Sequence, residues 1–193
     1  MIELLAVLSA SAAVGMRIAL PMLVIGLFQG NNLWSQMPIL SKFSSPILLF
    51  FLSSWSLVEL FASKQMIGQR VLQVVELILS PVVGAIMGLI FAKATATPEW
   101  LVAMVGGSFA FLLQLVQVGW FFRLRGLPLW VVFIQDFLCI VLVMFAYDAP
   151  YQGGLIALLL LWLAIRSSKY WYDWYKKDQF KSRKWRKIAE DRN

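Results

Sequence analysis

Four ionisable side chains sit inside apolar runs: Arg17 in SASAAVGMRIALP, Glu59 in SSWSLVELFA, Glu76 in RVLQVVELILSP and Asp136 in WVVFIQDFLC. A charge in such a place is costly unless a partner or a water-lined cavity receives it, so these residues are the candidates for a buried polar site. A rise of ~1.5 Å per residue puts Glu59 and Glu76 about 8–9 Å, Asp136 about 14 Å and Arg17 about 21 Å from the cytoplasmic ends of their runs. Helical side chains lean toward the N-terminus, which brings the Arg17 guanidinium back toward the depth of Asp136. An Arg–Asp pair there leaves neither charge bare, whether it serves transport or only fixes helix register. The shallower Glu59 and Glu76 flank the loop carrying Lys64 and Arg70, a pattern that reads as an interfacial ion pair.

Backbone breaks fall in the same region. Pro21 removes the normal partner of the Arg17 carbonyl, and Pro81 does the same to Leu77, so two broken helices are expected. Gln114 and Gln117, three residues apart, share a face, and with Ser54, Glu59 and Glu76 they could line a polar vestibule open to the cytoplasm. Small residues at 9–15 and at 106–108 would let helix backbones approach closely.

The elements that position these residues follow from composition. Of 193 residues, 61% are hydrophobic and 14% charged, and mean hydropathy is +0.77, the profile of a polytopic membrane protein. Six runs approach the ~20 apolar residues of a span: 3–28, 45–63, 71–92, 101–122, 127–147 and 150–167. Lipid leaves the backbone no other partner, so all six are expected as helices, an all-α six-helix transmembrane domain over residues 1–167. The first run is read as part of the mature chain, since Glu3 stands where a secretory signal would be basic. Of 17 Lys and Arg, fourteen fall on one side of this arrangement and only Lys42 and Lys93 on the other. The positive-inside rule then places both termini in the cytoplasm.

Residues 168–193 form a basic and aromatic tail or helix. Trp171 and Trp174 suit an interfacial belt. Lys176, Lys177, Lys181, Arg183, Lys184, Arg186 and Lys187 suit anionic lipid headgroups better than a nucleic acid. A lone Cys139 and the lack of histidine leave no Cys/His metal site, and no cofactor is expected. Nor does any nucleophile with a matching base stand out, which argues against an enzyme.

GMRIALP, then Glu59 ahead of SKQMIGQRVLQVVELILSPVVGAI, resembles the family called domain of unknown function 4126 over most of the chain. The Gly-x-Arg-x-x-x-Pro stretch of that family corresponds to Gly15, Arg17 and Pro21, and Glu59, Lys64, Pro81 and Gly84 fit its next block. Ser63, Gln69, Gln73 and Ser80 stand where acids or arginine are expected, and Gln114 marks the place of a His and Lys often found in the fourth span. The resemblance implies a multi-pass fold in a plasma membrane or an internal photosynthetic membrane, and no activity. Two functions stay open: a small-solute or ion transporter built on Arg17 and Asp136, or a non-catalytic scaffold that binds a membrane protein partner or a second copy of itself.

Overall fold

The computed structural model describes residues 2–29, 44–62, 66–92, 98–124 and 128–169. They form seven helices: α1 (Ile2–Met16), α2 (Ala19–Gln29), α3 (Ser45–Ala62), α4 (Met66–Ala92), α5 (Glu99–Leu124), α6 (Leu129–Asp148) and α7 (Pro150–Lys169). The tail residues named above, from Trp171 to Lys187, lie outside the described residues.

Four stretches are long and apolar enough to cross a membrane: Gly68–Phe91, Glu99–Arg123, Trp130–Asp148 and Pro150–Lys169. They mark the chain as a helical membrane protein. The first two of the six expected spans hold only shorter apolar helices. Phe50, Phe61, Trp100, Phe137 and Trp162 are left exposed on the outside, an arrangement that suits lipid as the solvent.

Helix directions follow from which residues meet. A Cβ on Gly15 would touch Ala110, and one on Gly106 would touch Ser11, a constant offset that makes α1 and α5 parallel. Trp120 bonds to Ser167, so α7 runs the same way as α5. Ser9 meets the Leu142 carbonyl and Cys139 meets that of Ala13, which makes α6 antiparallel to α1. Likewise Gln114 meets Glu76 and Gly106 meets Gly84, so α4 opposes α5. The start of α1 therefore shares one end of the bundle with the starts of α5 and α7. The end of α7 lies at the other, which we call the basic end because Arg70, Arg123, Arg166 and Lys169 are exposed there.

The expectation that both termini share a side turns on residues outside the described bundle, from 170 on, while residues 2 and 169 sit at opposite ends of it. The reason is the path of α2. Its first N–H, that of Ala19, bonds to Glu59, only three residues before the end of α3. Since α2 packs extensively along α3, it must run back toward Ser45. Helices α1 and α2 thus form a hairpin with Arg17 and Ile18 at its tip, and the first apolar run is two half-length helices.

Pro81, expected to break its helix, does not; α4 is continuous through it. The proline loses one hydrogen bond, but its own carbonyl lies against Gly107, with no side chain between the two backbones. The neighbouring helix holds the turn in place.

Candidate functional site at the hairpin tip

The tip is built by Pro21. A helix continued straight from α1 would drive the proline ring into the carbonyl of residue 17. Instead α1 ends with the Arg17 N–H donating to the Ala13 carbonyl at 3.0 Å, Ile18 bends, and Pro21 falls in the first turn of α2. There its missing N–H has no partner to lose.

Side chains of α6 and α5 reach the carbonyls at the end of α1, both the Met16 carbonyl that the break frees and the Ala13 carbonyl already bonded to Arg17. Gln135 Nε2 donates to the Met16 carbonyl at 2.6 Å and Gln117 Nε2 approaches it at 3.4 Å, while the Cys139 thiol lies 3.0 Å from the Ala13 carbonyl. At the other half of the tip, Glu59 caps the N-terminus of α2, where a helix favours negative charge. Its carboxylate accepts the Ala19 N–H and, at 2.8 Å, the Trp55 indole N–H.

Arg17 lies between these two caps and is 6% exposed. Its Nε is 2.9 Å from Asp136 Oδ1 and its Nη1 is 3.7 Å from Glu76 Oε1. The other Glu76 oxygen accepts from Gln114 Nε2 at 3.0 Å. Each of the four ionisable residues singled out in the sequence reaches this centre. Glu59 and Glu76 were also read as an interfacial ion pair beside the loop of Lys64 and Arg70, of which Lys64 lies outside the described residues; they are 3% and 1% exposed, and Glu76 lies beside Arg17. The depth count went wrong because α4 begins at Met66, five residues before its apolar run, and because the tip of α1 points toward the basic end. One guanidinium is thus within ion-pair distance of two carboxylates, with Glu59 close enough to feel its charge. Among the described residues no three His, Cys, Asp or Glu side chains form a group able to hold a metal ion.

A polar crevice leads from this centre toward the basic end. Arg17, Gln69, Gln73, Glu76, Gln117 and Gln135 line it, and its space of about 10 Å³ suits a single water. The oxygens Gln73 Oε1, Gln114 Oε1 and Ser80 Oγ are buried with no hydrogen-bond partner among the described residues. Gln69, Gln73, Glu76 and Ser80 follow one another at i, i+4, i+7 and i+11, a polar stripe on one face of α4. That spacing was the signal by which sequence reasoning could have found Gln73 and Ser80. It named them only as departures from a family pattern.

A family model described as Domain of unknown function (DUF4126) matches residues 4–170. No curated protein and no solved structure matches the chain.

Proposed function

The chain belongs to the DUF4126 family, whose description names no activity, and from the site alone we propose that it passes a small cation across the membrane by way of the hairpin tip. The observation that carries this reading is a buried Arg17 within ion-pair distance of Asp136 and Glu76 at a break between two helices. Half-helices that meet inside a membrane, with their ends turned on a polar centre, are a common way to build a transport site. Irregular backbone at that depth is tolerated only against protein or a water-filled path. Three carboxylates to one guanidinium, with amide oxygens beside them, favour a cation over an anion.

In this reading α3 to α7 cross the bilayer and α1–α2 is a re-entrant hairpin entering from the side opposite the basic end. The charge asymmetry agrees, because residues 1–16 contain neither Lys nor Arg and moving them across leaves the fourteen-to-two partition intact. Single cysteines in a Cys139→Ala background test it. Glu3→Cys and Glu99→Cys are expected to react with an impermeant thiol reagent from outside intact cells, and Arg70→Cys is not. Equal protection of Glu3→Cys and Arg70→Cys would return the first run to a through-going span.

The function is tested with full-length protein in liposomes carrying a potassium or proton gradient and a voltage-sensitive dye. Cation movement above that of empty vesicles is expected, with most of it lost in Glu76→Gln. Failure of both cations to move through folded protein would refute the proposal. One observation favours a scaffold instead: the outer flank holds an apolar groove of about 250 Å³, far larger than the polar crevice.

A further inference from the structure

That groove lies between α5, α6 and α7 and opens sideways, toward what would be lipid. Leu113, Val116, Trp120, Leu138, Leu160 and Leu163 form most of its wall. Gln117 and Gln135 stand at its inner end, with their amide N–H groups turned to the Met16 carbonyl. A second groove of about 140 Å³ adjoins it, lined by Leu115, Val116, Gly119, Trp120, Ser167 and Ser168. Val116 and Trp120 belong to both. The Trp120 indole donates to Ser167 Oγ at 2.8 Å and so forms a polar bridge at their common wall.

Charge around this bridge is of one sign. Arg123 follows Trp120 by three residues and continues the helix face that lines the larger groove. At the same end of α7, Arg166 lies over the Trp162 ring at 5.1 Å, and Lys169 ends the helix. Outside the buried polar centre, the acids of the described residues, Glu3, Glu99 and Asp148, all sit at the opposite end of the bundle.

We propose that these two grooves hold the two acyl chains of one anionic glycerolipid, with its headgroup over the Trp120–Ser167 bridge beside Arg123. Each groove is smaller than the ~300–1,000 Å³ of a pocket for a whole drug-sized ligand, which matches a stretch of hydrocarbon chain better than a compact molecule. The pairing of two apolar grooves with one polar, positively flanked divider is the shape of a two-chain lipid. The larger groove meets the polar crevice only at Gln117 and Gln135, and the lipid proposal does not depend on cation passage.

The test is native mass spectrometry of the full chain in mild detergent, with phosphatidylglycerol and phosphatidylcholine of identical chains added in competition. The wild type is expected to retain one phosphatidylglycerol in preference. Gly119→Phe puts a ring into the smaller groove from a position where the added Cβ meets no atom within 4 Å, and Leu163→Trp fills the larger one from a half-exposed position. Either is expected to lower retention about tenfold, the loss that follows from displacing only a few methylenes, with melting temperature and elution volume unchanged. Arg123→Gln is expected to reduce the preference for phosphatidylglycerol roughly fivefold, the factor for about 1 kcal/mol per basic residue at an anionic surface. Equal retention of the two lipids by the wild type overturns the proposal. So does wild-type retention in both groove-filling variants, or a change of oligomeric state in them in place of lipid loss, which would make the grooves a protein interface.

Discussion

Arg17→Met is expected to destabilise the bundle by about 3–5 kcal/mol, the range for removing one partner of a buried ion pair. Asp136→Asn is expected to cost less, about 1–3 kcal/mol, the range for a buried group left partly unsatisfied. The asymmetry follows from the count of partners. Without Asp136, Arg17 still has Glu76 at 3.7 Å and the field of Glu59. Without Arg17, three carboxylates stay in one largely buried region with no cation among them, and the C-terminal end of α1 adds its own negative pole. For the same reason Arg17→Met with Asp136→Leu recovers only part of the loss, because Glu59 and Glu76 remain. Adding Glu59→Gln and Glu76→Gln to that pair should recover most of it, since no buried charge is left. Reversible unfolding in detergent, followed by far-UV circular dichroism, measures all four proteins. Equal losses for Arg17→Met and Asp136→Asn would show that the centre is a simple pair and that Glu59 and Glu76 are bystanders.

The sequence announced the members of this centre better than the path of the chain that assembles it. Arg17 and Asp136 were legible because a charge in an apolar run demands a partner; the depth count that paired them assumed the start of α1 at the basic end, where the structure does not put it. Gly15, Ser11 and Gly106 were legible as points of close approach. The hairpin was not. Pro21 says that the helix breaks near residue 17, but whether the chain then kinks or turns back depends on Glu59, forty residues on, capping the new N-terminus. The charge rule could not help, since a segment without Lys or Arg carries no orientation signal. Pro81 was over-read for a related reason: a lost hydrogen bond breaks a helix only where nothing holds the turn, and α5 holds it.

Gly106→Val carries the second large effect and joins packing to the site. A Cβ at residue 106 would lie 2.6 Å from the Gly84 carbonyl oxygen and 2.8 Å from Ser11 Oγ. The first of these is backbone, which has no rotamer to move into. Helix α4 must therefore shift away from α5, and an overpacking loss at or above about 3 kcal/mol is expected. The same shift acts on the polar centre, because Glu76 is held to α5 by the 3.0 Å bond from Gln114 two turns further along the same seam. Gly119→Ala on the same helix is the control. Its new Cβ meets nothing, and helix propensity alone predicts a gain of up to about 1 kcal/mol. Thermal unfolding separates the two, and cation movement in liposomes should fall in Gly106→Val at temperatures where it is still folded. Wild-type stability in Gly106→Val would mean that α4 and α5 do not meet backbone to backbone, and the position of Glu76 beside Arg17 would then lose its support.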